Sequence, residues 1–184
     1  MLATVKTGEA AARRDLRLQI VCERLTGQSQ EDGYVNAAMQ RGIDKEAHAF
    51  VAYEALTGNL ASVVGFLAHD TLMAGCSPDG LIGDKGGLEL KCPKSSTHLG
   101  YLRSGRVPSA YLAQITHSLW ITGYDWWDFL SFDDRFPEPL QMFYRRVRRT
   151  DVDIPAYELA ARLFLSEIQA EVEAVAEMAR KAAA

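Results

Sequence analysis

Between Ser77 and Pro93 the chain reads SPDGLIGDKGGLELKCP, a glycine-rich turn joining two short apolar segments that each carry charge. On a strand, successive side chains face opposite ways, so Leu88, Leu90 and Cys92 share one face while Glu89 and Lys91 share the other. The apolar set can enter a core, and the charged pair is then presented on the opposite side. GDKGG supplies a tight turn that folds the strand carrying Glu89 back beside Asp79, which Pro78 and Gly80 bracket. Two carboxylates and one ammonium are thereby expected at one edge of a sheet. Adjacent carboxylates repel, and a divalent cation between them converts that repulsion into binding. Oxygen ligands without imidazole or thiolate favour a hard ion, Mg²⁺ or Mn²⁺. Glu-x-Lys alone is an ordinary pattern on an exposed sheet face; Pro-Asp, the glycine-rich turn and the apolar strand single it out.

The rest of the chain supports a single domain over residues 1–184, with an N-terminal helical part at 8–58 and a C-terminal helix at 157–184. Its 184 residues, 48% apolar and 24% charged, suffice for one hydrophobic core. No stretch approaches the roughly 20 apolar residues of a membrane span, and no signal-peptide pattern is present, so a cytosolic location is expected. Cys22, Cys76 and Cys92 are odd in number and widely spaced, which argues against a disulfide framework or a zinc knuckle and for small buried hydrophobes. His48, His69, His98 and His117 show no i, i+4 metal pairing. The formal net charge is −4, yet AARRDLR (Ala11–Arg17) and YRRVRR (Tyr144–Arg149) are compact basic clusters, and acidic residues crowd the stretch from Glu158 to Glu177. Arg13, Arg14, Arg146 and Arg148 are the candidate phosphate contacts, although such runs are commonly hydrated faces.

Helical spacing is expected from about Ala10 to Leu25, and from Asn36 to Thr57 with Gly58 as its stop. ASVVGFLAH, TLMAGCS and GLELKC read as strands. PSAYLAQITHSLWITG reads as a helix ending at Gly123, YDWWDFLSF and LQMFYRRVRR as a strand pair, and the segment from Tyr157 as an amphipathic helix. The order predicts an α/β fold around a small mixed sheet of about five strands flanked by helices.

Asp79 followed by Glu89-Leu90-Lys91 resembles the Pro-Asp…(Asp/Glu)-x-Lys signature, PD-(D/E)XK, of the restriction-endonuclease-like nucleases. Over a longer span, SPDGLIGDKGGLELKCP, SAYLAQITHSLWITG and the preceding RGIDKEAHAFVAYEALTG resemble the lambda exonuclease, or YqaJ-like viral recombinase, family. The likeness covers roughly Leu16 to Arg149. It implies Asp79, Glu89 and the backbone carbonyl of Leu90 as metal ligands, Glu46 as the helical acid supporting a second ion, Lys91 as the catalytic lysine, and Tyr111 and Gln114 as helix-borne site residues. It further implies two Mg²⁺ ions per site, with Mn²⁺ as substitute, and 5′-to-3′ digestion of double-stranded DNA ends in phage recombination. A trimeric ring, a single-strand annealing partner and the cytoplasm of a bacterial host belong to the same expectation. An endonuclease or resolvase on the same core, or a non-catalytic DNA-binding subunit, are the alternatives; three cysteines are too few for a cluster-bearing relative. Relatives carry an upstream arginine and serine on the terminal phosphate, and the match begins too late for them. Loss of that segment, a misplaced start, or replacement by Lys6, Arg13 and Arg14 are the open readings.

Overall fold

In a computed structural model of the chain, residues 9–30 and 36–183 are described, those at 37–39 by backbone alone. They fall into two compact units, one from residues before 35 together with those from Pro155 onward, the other spanning Val35–Ile154.

The first unit pairs α1 (Ala11–Thr26) with most of α5 (Ile154–Ala182). Val21, Phe164 and Ile168 form its buried core. The basic run of α1 is answered by the acidic helix: Arg13 pairs with Glu9 and, at 2.7 Å, with Glu167, while Arg17 pairs with Glu9 and Glu171. Arg13 also lies over the Phe164 ring, 4.9 Å from its centroid. Two arginines of the α1 run are thus answered by two glutamates of the last helix. Cys22, expected inside, is exposed, because Val21 takes the inward position beside it.

The second unit is built on a mixed sheet of order β3-β4-β5-β6: β3 (Gly80–Ile82), β4 (Gly86–Lys91), β5 (Trp126–Phe132) and β6 (Met142–Arg148). β3 and β4 form the expected hairpin, with Gly80 opposite Leu88. β4 and β5 are parallel, joined by a crossover through α3 (Ser95–Ser104) and α4 (Ser109–Thr122), and β6 returns antiparallel. One sheet face, with Ile82, Leu88, Leu90, Leu130 and Phe132, packs on Ala49 and Tyr53 of α2 (Ala37–Thr57). On the other face Phe129 and Phe143 meet Tyr101 of α3, and Phe129 also meets Tyr111 of α4.

Three sequence expectations change. The sheet has four strands rather than about five, because ASVVGFLAH and TLMAGCS contribute only the two-residue β1 (Leu67–Ala68) and β2 (Gly75–Cys76), paired as a separate ribbon. Ser62 makes one bridge to Leu81, while Val63 and Phe66 stay exposed, so this segment has apolar content without a partner strand. The first arm of the expected hairpin is itself a strand, Gly80–Ile82, and the helix Ser95–Ser104 is additional, hidden by Gly100 and by sparse apolar spacing. C-terminal helix α5 starts at Ile154, with Pro155 in its first turn.

Glycine is required at the start of β4 by close approach. A Cβ on Gly87 would lie 2.3 Å from the ring of Trp127, which is wholly buried and cannot withdraw. Gly87→Ala is expected to destabilise the protein by about 1–3 kcal/mol, read as a lowered urea midpoint at unchanged slope; an unshifted midpoint would contradict this packing.

Candidate active site

The last residues of β4 emerge beside the turn that precedes β3. Asp79 turns its carboxylate across the hairpin and accepts the Leu90 N–H at 2.6 Å. Glu89 is only 1% exposed, unusual for a carboxylate in a sheet. The Lys91 ammonium lies between the two acids, in ion-pair contact with Glu89 Oε1 and 3.6 Å from Asp79 Oδ2. From α4, Gln114 donates its side-chain N–H to Glu89 Oε2 at 2.9 Å. One turn earlier, Tyr111 stacks on Phe129 and sets its ring centroid 5.6 Å from Lys91 Nζ. Glu46 of α2 lines one cleft of about 580 Å³ together with Asp79, Leu90, Lys91 and Tyr111.

The electrostatics follow from this packing. Burial pushes the Glu89 carboxyl above the ordinary range and the Asp79 charge adds to that, against the downward pull of Lys91 and Gln114. For Lys91, burial acts to lower the ammonium, but Glu89 and Asp79 outweigh it and the net shift is upward. Facing those two carboxylates, the amine is held as an ammonium. Glu89 Oε1 is in direct contact with that charge, while Oε2 takes the Gln114 N–H. Two neighbouring carboxylates, one of them buried, with the Leu90 carbonyl between Glu89 and Lys91 in sequence, form an all-oxygen donor set that suits a hard divalent ion. Among the described residues no three His, Cys, Asp or Glu side chains are gathered closely enough to form a metal group. Glu46 shares the cleft with Asp79 without closing on it.

The expected residues thus divide. Asp79, Glu89, Leu90, Lys91, Tyr111 and Gln114 converge, with Glu46 lining the same cleft. Arg146 is instead committed elsewhere: Nε and Nη2 form a forked pair with Asp128 at 2.8 and 2.9 Å, and its guanidinium lies 3.6 Å from the Trp126 ring centroid. Asp128 is fully buried and also accepts the Tyr53 hydroxyl at 2.8 Å. This makes Arg146 a strut of the β5–β6 hairpin. Arg148 and Arg14 are exposed, Arg14 beside Asp15, and Arg13 spends its donors on Glu9 and Glu167; Lys6 lies outside the described residues. Sequence reasoning missed Asp128 and Asp133, both wholly buried acids. An acid inside WWDFLSF was the available signal, since Asp128 shares a face with Leu130 and lies opposite Arg146 once the hairpin register is counted. Cys76 is buried and Cys92 partly so; burial pushes both thiols up, Cys92 to about 11.

The fold recurs in known proteins. No curated protein sequence matches the chain. Among solved structures, the alkaline exonuclease LHK-Exo from Laribacter hongkongensis is 39% identical with a TM-score of 0.87, over 95% of this chain and 89% of that one. LHK-Exo in complex with dAMP gives the same identity and TM-score, over 94% and 88%. A phage related exonuclease from Haemophilus somnus 129PT, 14% identical with a TM-score of 0.64 over 92% and 85%, shares the fold. No described helix is long and apolar enough to cross a membrane. The YqaJ-like viral recombinase domain matches residues 3–125, the span that holds every converging residue, and the chain accordingly belongs to the YqaJ-like viral recombinase family and is a nuclease.

Proposed function

We propose that the protein is a Mg²⁺-dependent exonuclease that degrades double-stranded DNA from 5′ ends in phage recombination, with Mn²⁺ able to substitute. The observation that carries this reading is the convergence of Asp79, Glu89 and Lys91, with Asp79 and Lys91 lining one cleft. Asp79, Glu89 and the Leu90 carbonyl would hold one ion and Glu46 a second. Bound there, such ions supply a nucleophilic water near neutral pH and neutralise charge on the scissile phosphate.

The chain's own groups do the rest. Gln114 restrains the Glu89 carboxylate, so that Oε1 keeps its direction into the site. Lys91, beside both acids, serves as a donor to the attacking water or to an oxygen of the crowded phosphorus. Tyr111 gives that ammonium an aromatic face. Arg148 and Arg14 are proposed as sequence-independent phosphate contacts. By the same family membership we propose a homo-oligomeric ring of three subunits in the bacterial cytoplasm, working with a single-strand annealing protein.

A time course with linear, nicked and closed-circular duplexes of defined end phosphorylation tests the reading. Linear DNA with 5′-phosphate is expected to be shortened in Mg²⁺, with closed circles intact and chelator arresting the reaction. Cutting of closed circles would replace the exonuclease with an endonuclease or resolvase. DNA binding without turnover would leave a non-catalytic subunit.

A further inference from the structure

The charged residues that follow β5 do more than the nuclease reading uses. Asp133 accepts hydrogen bonds from Arg135 Nε and Nη2 at 2.7 and 2.8 Å, and from Arg41 Nη2 at 3.2 Å. Asp134 accepts from the same Arg41 nitrogen at 2.8 Å and pairs with Lys45 at 2.6 Å. Arg135 also donates to the carbonyl of Pro93 at 3.3 Å, two residues past Lys91. Three segments are thereby tied together: α2, the exit of β4 and the loop after β5. Where they meet, a Cβ on Gly42 would lie 3.8 Å from the Cys92 carbonyl. Gly42 and Glu46, one helical turn apart, both line the cleft. Further along, the same helix is held to the sheet by the Tyr53–Asp128 hydrogen bond.

Arg41 is the unusual member. Its Nη1 is buried and has no hydrogen-bond partner among the described residues. A buried donor without an acceptor destabilises a fold, so stability alone is a poor account of this guanidinium. Its geometry has another use. Arg41 reaches two successive carboxylates beyond β5, while Glu46, five residues on, stands in the cleft.

We propose that Arg41 is a positioning residue: its ion pairs with Asp133 and Asp134 hold α2 against the exit of β4 and so set where Glu46 stands relative to Asp79 and Glu89. The inference rests on the reading of those three acids as the metal site. A lysine would keep the charge and lose the planar geometry of the guanidinium.

The test uses the intact chain with Arg41→Met, Arg41→Lys, Glu46→Gln and the Arg41→Met/Glu46→Gln pair. Calorimetric titration of metal-free protein with Mn²⁺ alone is read beside kcat and KM on linear duplex. Arg41→Met is expected to weaken the Mn²⁺ site completed by Glu46 and to lower kcat, each about tenfold, as loss of a ligand-orienting partner does. KM for DNA should stay within about twofold, since Arg41 contacts no substrate in this account. Arg41→Lys should recover part of the loss, and Arg41→Met should add nothing to Glu46→Gln. An unchanged Mn²⁺ isotherm, full additivity, or a rise in KM at constant kcat overturns the proposal, the last by making Nη1 a phosphate contact. If Arg41→Met does not fold, Asp134→Asn loosens the same tie from the solvent side; about a threefold loss in Mn²⁺ affinity is expected and none overturns it. A wild-type protein that binds Mn²⁺ but leaves DNA intact defeats the nuclease reading alone, and the Mn²⁺ comparison still decides this one.

Discussion

Lys91→Ala lowers the rate on saturating linear duplex by about 10³-fold, with KM for DNA changed far less. The size of the expected effect comes from where the ammonium sits. It is the cation between two carboxylates, and the acids that hold it also keep it protonated well above neutral pH. A positive charge preorganised in a half-buried cleft interacts more strongly with a developing phosphorane than the same charge in water. Asp79→Ala is expected to be similarly inert, because it removes both a carboxylate and the acceptor of the Leu90 N–H. Single-turnover kinetics on end-labelled duplex, with circular dichroism to show that each variant is folded, provides the check. Activity within about tenfold of wild type in both variants would remove Asp79 and Lys91 from the chemistry.

Asp128→Ala produces the largest expected loss of stability. Its carboxylate is wholly buried and takes a forked pair from Arg146 together with the Tyr53 hydroxyl. Removing it leaves a guanidinium and a phenol facing a void, at a cost of about 3 kcal/mol. The lower end of the range for broken buried pairs applies because Arg146 is 36% exposed and water can reach it. For a chain of this size that corresponds to a fall in Tm of about 6–12 °C. Arg146→Ala should destabilise too, and the double variant should cost less than the sum of the singles, since both remove one interaction. Thermal unfolding of the four proteins decides the matter. If Arg146→Ala leaves Tm alone but flattens the salt dependence of DNA binding, then Arg146 is a phosphate contact after all.

Strand periodicity, a turn signal and charge placement were enough to read the β3–β4 hairpin. A period of two assigns Leu88 and Leu90 to one face and Glu89 and Lys91 to the other whatever else the chain does. GDKGG fixes which residues stand near Asp79, because a short turn leaves little freedom of register. The helices around Tyr111 and Glu46 were legible for the same reason, their limits marked by Gly123 and Gly58, both with positive φ.

What the sequence could not specify were partners distant along the chain. Arg41 meets Asp133 across 92 positions and Tyr53 meets Asp128 across 75, and no local pattern distinguishes such an arginine from a hydrated one. YRRVRR looked like a phosphate-binding strip, yet Arg146 is turned onto a buried acid by the register of β6 on β5. AARRDLR looked similar, until the last helix supplied the glutamates. Local sequence thus determined faces and turns, because these follow from backbone geometry over a few residues. Which charges are neutralised inside the protein and which remain for a ligand was decided only when the sheet closed on α2, because burial of one carboxylate, not its place in the sequence, selects the cation that must accompany it.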